Sequence, residues 1–267
     1  MSRYFSIFKI SLQQEIAYKA NFVMWRIRNV FQIFLVFYLW DAIYTDNSRV
    51  LFGYDRAQIL TYVFGLMIVR ALVLSAKANS ISGEIASGDF SNYLLKPINF
   101  FKYWMTRDVS SKVLNLIFAG FETFLLFLLL KPIFFLQTNP LQLFSFVISI
   151  FVAIFIFSMI VFIVSSIPFW NPELAWGAQF ILFAIVIEFL SGALFPIDIL
   201  PSAIQNILYW TPFPYLIFFP LEIYLGKISG IAIVQGITIA VFWSVALWFF
   251  MNSIWRKGLK VYQSHGR

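Results

Sequence analysis

Six apolar runs, each roughly twenty residues long, constrain this chain more than any other feature. They fall at about 22–44, 57–76, 113–130, 141–167, 174–195 and 230–251, with polar stretches between most of them. Wound as a helix, a run of about 20 residues spans the hydrocarbon core of a bilayer. In lipid, a helix also satisfies its own backbone polar groups. Only 12% of the residues are charged, against roughly 25% in soluble domains. The sequence therefore predicts an all-α polytopic membrane protein with six transmembrane helices. Without an internal repeat or a low-complexity linker, residues 1–267 read as one membrane domain.

The charges give the predicted spans a direction. Residues 1–21 carry Arg3, Lys9 and Lys19, and Phe5, Phe8, Leu12 and Ile16 recur at spacings of three and four. That pattern fits an amphipathic interfacial helix. Its charged lead is too long for a signal peptide, and no small-residue cleavage site follows. Arg26 and Arg28 are expected to snorkel at the inner end of the first span, with Trp25 and Trp40 at the two interfaces. The formal net charge is +7, but the basic residues cluster at span ends and in loops, where they orient helices rather than bind nucleic acid. Only Arg49, Arg56, Lys131 and Lys227 fall in the loops of one side, and Arg70 falls inside a span. The rest lie in the lead, in the 77–112 loop and in the tail. The positive-inside rule then places both termini and the 77–112 loop in the cytoplasm of a cell's inner (plasma) membrane.

The 77–112 loop contains the most unusual polar stretch, Ile81 to Pro97. Asp89 is placed to cap a short helix. Phe90, Tyr93 and Leu94 fall on one apolar stripe barely two turns long, and Pro97 stops the helix at Lys96. Such a helix either docks on something outside the membrane or lies on lipid headgroups.

Several chemistries are absent. Gly83 and Gly88 have the glycine spacing of a phosphate-binding loop, but Asp89 stands where its Lys belongs, and an acid there repels phosphate. There is no Cys, hence no disulfide, thiol nucleophile or Cys-based zinc site. The one His, His265, lies in the tail, which excludes a His-containing catalytic triad and an HExxH metal site. No Ser stands in a nucleophile-elbow context. No cofactor and no metal are expected, and the chain reads as a non-enzyme.

Three ionisable residues lie inside predicted spans: Arg70, Glu122 and Glu188. Charges are costly there, so they mark function, an internal ion pair, or an acid held neutral by burial. At about 1.5 Å of rise per residue, Arg70 lies roughly 9 Å from the inner end of its span, Glu122 roughly 14 Å and Glu188 roughly 21 Å. Depth and sequence adjacency predict that Arg70 pairs with Glu122. Gly226 and Gly230 form a weak GxxxG packing signal.

The segment from 196 to 229 is apolar but interrupted by Pro196, Pro201, Pro212, Pro214 and Pro220. A straight span does not absorb that many prolines. Short broken helices, dipping in from the outer face or lying on it, fit better. The plainer alternative is an external loop with an interfacial helix at Ser202 to Trp210.

Taken in order, these features resemble the permeases of type-2 ATP-binding-cassette exporters, and among them the daunorubicin-resistance-like branch. The resemblance rests on the amphipathic lead, the six spans, and Ile81-x-Gly83 followed by Leu94-Leu95-Lys96-Pro97. In the second half it rests on Phe169-Trp170, Ser191-Gly192-Ala193-Leu194-Phe195-Pro196, Leu200-Pro201, Thr211-Pro212-Phe213 and Leu225-Gly226. It covers essentially the whole chain. It implies a coupling helix at Asp89 to Leu95 that docks on a separate ATPase subunit. There Phe90, Tyr93 and Leu94 form the apolar plug, and Glu84 and Lys96 the rim. It also implies an outer lid around Gly192, Pro196, Pro201, Pro212 and Pro214, and a second permease, identical or different, across the lipid bilayer's translocation path. ATP hydrolysis is then expected in the separate subunit. Two other readings fit the residues: a proton-driven transporter or channel using Glu122 and Glu188, and a non-transporting scaffold.

Overall fold

The computed structural model describes residues 3–17, 19–44 and 50–262, and for 19–22 and 25 the backbone alone. The roles expected of Trp25, Arg49 and His265 therefore lie outside the described residues. Among the described residues the fold is all helix; the only strand-like feature is an isolated bridge between Leu51 and Tyr54.

Helix α1 (Arg3–Ala17) precedes α2 (Lys19–Ile43). Helix α3 (Arg56–Val73) begins at a capping box: the Asp55 carboxylate accepts from Gln58 N at 2.7 Å, and Gln58 Oε1 accepts from Asp55 N at 3.1 Å. Two short helices follow, α4 (Ser80–Ala86) and α5 (Ser91–Leu94). Helix α6 (Phe100–Leu130) starts where Asn99 Oδ1 accepts from Lys102 N, and α7 (Pro140–Ser165) starts at the Asn139 cap with Pro140 in its first turn. Proline suits that position because its missing N–H has no intrahelical partner there. The fifth run is composite: α8 (Ala175–Ile181), a π-helix over Leu182–Ile187, and α9 (Glu188–Leu190). Helices α10 (Ser202–Tyr209), α11 (Phe218–Tyr224) and α12 (Ile231–Val261) complete the chain.

Among the described residues, five segments are long and apolar enough to cross a membrane: Arg56–Val73, Phe100–Leu130, Pro140–Phe169, Pro172–Leu190 and Ile231–Val261. The first expected span falls on α2, several of whose side chains lie outside the described residues. Helix α6 differs from expectation in starting at Phe100, so Lys102, Arg107 and Lys112 sit on a helix and not in a loop. Helix α7 is the central rod, packed against α3, α11 and α12, while α6 lies between α1 and α3.

The expected stripe on α1 is only partly the packed one. Phe5 and Ile16 remain half exposed, while Ser11 and Glu15 are buried. Ser110 of α6 donates to the Phe8 carbonyl at 3.3 Å, so α1 packs on a protein helix along a partly polar face.

Candidate functional site

At the end of the bundle that holds α4 and α5, the chain builds an anchored, exposed tip. Gly88 adopts φ +86°, a left-handed conformation open to glycine at little cost, and turns α4 into α5. Helix α5 is a single turn. Its cap is Phe90, without a side-chain bond, and the Asp89 carboxylate instead accepts from Ser87 Oγ at 2.7 Å. The expected Asp89 cap and two-turn helix are thus corrected: the Gly88 turn consumes the residues that would have formed the first turn.

Phe90 is corrected as well. It is 1% exposed and cannot plug an external groove. Its ring packs against Phe100 at 5.0 Å, Tyr262 at 5.3 Å, Phe169 at 5.6 Å and Trp255 at 5.9 Å between centroids. These rings come from α6, the turn after α7 and the end of α12, so Phe90 fastens the tip to three parts of the bundle. Tyr262 Oη also donates to the Gly88 carbonyl at 2.8 Å. Tyr93 is half-buried between Phe100, Tyr103 and Trp104. Partial burial pushes the Glu84 carboxyl up, against the pull of its Tyr93 hydrogen bond and the Arg107 charge. What remains outside is Leu94 at 57% and Leu95 at 85% exposure, flanked by Asp89, Asn92 and Lys96. Leu95 had no place in the predicted stripe.

The joint between α3 and α4 is held by two residues one turn apart on α6. Lys112 Nζ donates to the carbonyls of Val73, at 3.2 Å, and Ser75. Asp108 Oδ1 accepts from the backbone N–H of Ala78, at 3.0 Å, and of Lys77. A cation thus meets the carbonyl end of α3 and a carboxylate meets the amide end of the next helical turn, the favourable sense for both helix dipoles. Lys77 Nζ also lies 3.4 Å from Glu15 of α1. No local pattern marks Asp108, and Lys112 reads in the sequence only as one of the charges that orient the spans.

The intramembrane charges pair differently from prediction. Arg70 bonds Glu188, and Glu122 bonds Arg26 at 2.7 Å. The reason is azimuth, not depth. Thr123 of α6 reaches Met67 of α3 at 3.6 Å, so its neighbour Glu122 is turned about 100° away, toward α2. Arg26, expected to snorkel, is 8% exposed and also donates to the Asn115 carbonyl at 3.2 Å. A cavity of about 550 Å³ opens beside this pair between α1, α2 and α6.

At the opposite end, the proline-rich segment runs as short helices, with Pro220 inside the first turn of α11. A 3-10 turn covers Ile197–Ile199, then come α10 and α11, with Pro212 and Pro214 between them. Pro196 and Pro201 stand immediately before the 3-10 turn and α10. Gly192, at φ +82°, lies where an added Cβ would come 2.8 Å from both Phe218 Cβ and Tyr62 Oη. Tyr62 donates to the Gly192 carbonyl at 2.6 Å, and Phe218 N donates to the Ser191 carbonyl at 3.0 Å. The same segment carries Asp198 and Glu222, which sequence reading missed. Their signal was faint: single acids within apolar surroundings.

Among the described residues, several long apolar helices, with short helices at both ends, define a multi-pass membrane protein. The family model for ABC-2 family transporter proteins matches residues 30–266. The chain belongs to that family, and is a membrane permease component of an ATP-binding-cassette exporter rather than its ATPase. No curated protein sequence matches it.

Proposed function

We propose that this chain is the membrane-spanning subunit of an ATP-driven exporter, with α2 as its sixth span and both termini and the α4–α5 tip in the cytoplasm. In this reading two permeases, identical or different, line the path, and separate ATPase subunits dock on the tips. The likeness of motifs favours the daunorubicin-resistance-like branch. An inner membrane is the expected location.

The observation that carries the reading is the contrast within one turn of helix. Phe90 is locked into the bundle, whereas Leu94 and Leu95 are held out bare. An apolar pair on a rigid mount suits a partner's groove; interface anchors concentrate binding energy in such residues. Asp89, Glu84, Tyr93 and Lys96 then stand at the rim. Because Asp108 and Lys112 clamp the joint behind the tip, a push on it passes into α3 and α6. The segment around Gly192, Pro196, Pro201, Pro212 and Pro214 serves as the outer lid. The proton-driven alternative loses ground because Glu122 and Glu188 each meet an arginine.

Co-purification tests the proposal. Leu95→Asp is expected to leave the permease inserted and folded while reducing recovery of the ATPase subunit at least tenfold, the effect of about 1.4 kcal/mol. Unchanged recovery and unchanged stimulated hydrolysis in both Leu94→Asp and Leu95→Asp would remove the tip from the interface.

A further inference from the structure

We infer that Asp198 and Glu222 share one bound proton through the hydroxyl of Tyr54, and that this proton latches the proline-rich segment to the turn before α3. The inference concerns the outer end of the proposed topology and does not depend on what crosses the membrane.

Tyr54 Oη lies 2.6 Å from Glu222 Oε1, 2.8 Å from Asp198 Oδ2 and 3.0 Å from Asp198 Oδ1. A phenol has one proton to donate. If both carboxylates were ionised, one would face the lone pairs of the phenol oxygen with nothing between them. Two carboxylates at one site also resist ionising together. Among the described residues, the cation that meets the pair is Lys227, 3.3 Å from Asp198 Oδ2 and over the Tyr54 ring. One positive charge balances one carboxylate, not two.

One additional proton satisfies every group. The Glu222 carboxylic acid donates to Tyr54 Oη, Tyr54 donates to the Asp198 carboxylate, and Lys227 neutralises that carboxylate. Glu222 is the natural seat, because it is 3% exposed whereas Asp198 keeps an open edge. Burial first, and then the Asp198 charge, push Glu222 up to about 7, against the pull of the Tyr54 bond and Lys227. The same burial and the two acids push the Tyr54 phenol well up, so it stays a donor.

Among the described residues, few other groups reach this site. Tyr62 of α3 and Tyr209 of α10 feel both acids, but Tyr62 Oη is committed to the Gly192 carbonyl. Helix α7, packed on α11, has no ionisable residue between Pro140 and Ser165. The stretch of α12 facing α11, where Gly236 meets Phe219, has none from Ile231 to Ser253.

The proton joins three segments that are distant in sequence: the turn at 51–54, the 3-10 turn at 197–199, and α11. Losing it leaves Asp198 and Glu222 repelling each other across Tyr54. The sign follows from the raised value. The protonated acid is favoured in the closed form, so the latch is fully present below the ordinary carboxylate range and is lost as pH rises through about 7.

The chain has no Cys, so labels can be placed at will. Spin labels at Val50→Cys and Ala203→Cys in the full-length permease, reconstituted in lipid with any ATPase subunit that co-purifies, read the distance across the latch. The expected result is a short, narrow distribution at about pH 5.5 that gains a longer component by about pH 8.5. Glu222→Gln should keep the short distance throughout, and Tyr54→Phe should show the longer one at both extremes. Asp198→Asn, which removes the second charge, should lower the midpoint by about a unit or more. A distribution that does not change with pH in the parent overturns the proposal, as does the parental midpoint persisting in Glu222→Gln. Should that variant fail to fold, infrared titrations of the parent and of Asp198→Asn decide. A protonated-carboxyl band that disappears near neutrality, and whose midpoint falls in Asp198→Asn, supports the shared proton; a band that is absent or indifferent to Asp198→Asn refutes it.

Discussion

Arg70 with Glu188, and Arg26 with Glu122, form two ion pairs that a double-mutant cycle can tell from the alternative pairing of Arg70 with Glu122. Each pair is largely enclosed, with side-chain exposures of 19% and 15% for the first and 10% and 12% for the second. Removing one member of a buried pair strands the other, at a cost of about 3–5 kcal/mol. Arg70→Leu or Glu188→Leu alone should therefore lower the midpoint of thermal unfolding by roughly 6–20 °C, at about 2–4 °C per kcal/mol for a chain approaching this size. The double change should recover most of that loss, because no charge is left stranded. Arg70→Leu combined with Glu122→Leu should instead be additive to within about 0.5 kcal/mol. Nine tryptophans supply a fluorescence signal for the purified permease in detergent, at one fixed scan rate. Additivity for Arg70 with Glu188, together with strong coupling for Arg70 with Glu122, would refute the pairing and the azimuth argument behind it.

Three further outcomes follow from contacts at the two ends. Phe90→Ala should destabilise the permease itself by about 3–5 kcal/mol, as for other buried aromatics, and so lower its level in the membrane; Leu95→Asp should leave that level unchanged, and equal effects of the two in quantitative blots would erase the distinction between anchor and tip. Gly192→Ala should cost at least about 2 kcal/mol from its left-handed backbone and the crowding of Phe218 and Tyr62 together, read as a lower unfolding midpoint, whereas Gly120→Ala, with open space around it, should cost nothing measurable. Lys112→Met should keep ATPase binding but reduce transport per ATP hydrolysed severalfold in vesicles; an unchanged ratio would show that the clamp on the α3–α4 joint does not carry the coupling.

The helices were legible because lipid solubility is a property of composition and length; their starts were less so, and α6 begins at the Asn99 cap, well before the apolar run that announced it. The short helices of 196–229 follow from its prolines, of which Pro220 alone is taken into a helix, at the first turn of α11. What failed was direction. Periodicity places Phe90 with Tyr93 and Leu94 on one stripe, but α5 is one turn long and the Gly88 turn aims Phe90 inward. Depth placed Glu122 nearest to Arg70, but the rotation of α6 about its own axis, set by contacts such as Thr123 with Met67, decides which neighbour it meets. Asp108, Lys112, Asp198 and Glu222 were hidden for a related reason: their partners are backbone groups and side chains far away in sequence, and no local pattern announces them.

The π-helix at Leu182–Ile187 has a consequence for how this chain can change over generations. A π-turn holds one residue more than the α-turn it replaces, so the segment behaves as a helix with a single inserted position. Each residue turns an α-helix by about 100°, and Glu188 comes directly after the insertion. The wider turn sweeps nearly the same angle with one residue more, so the bulge absorbs that residue without carrying Glu188 off the face that meets Arg70. Loss of one codon between 182 and 187 would let the bulge close into ordinary α-helix with the pair still facing. In descendants of this gene the two charges are expected to be kept or lost together, while the extra residue comes and goes without them.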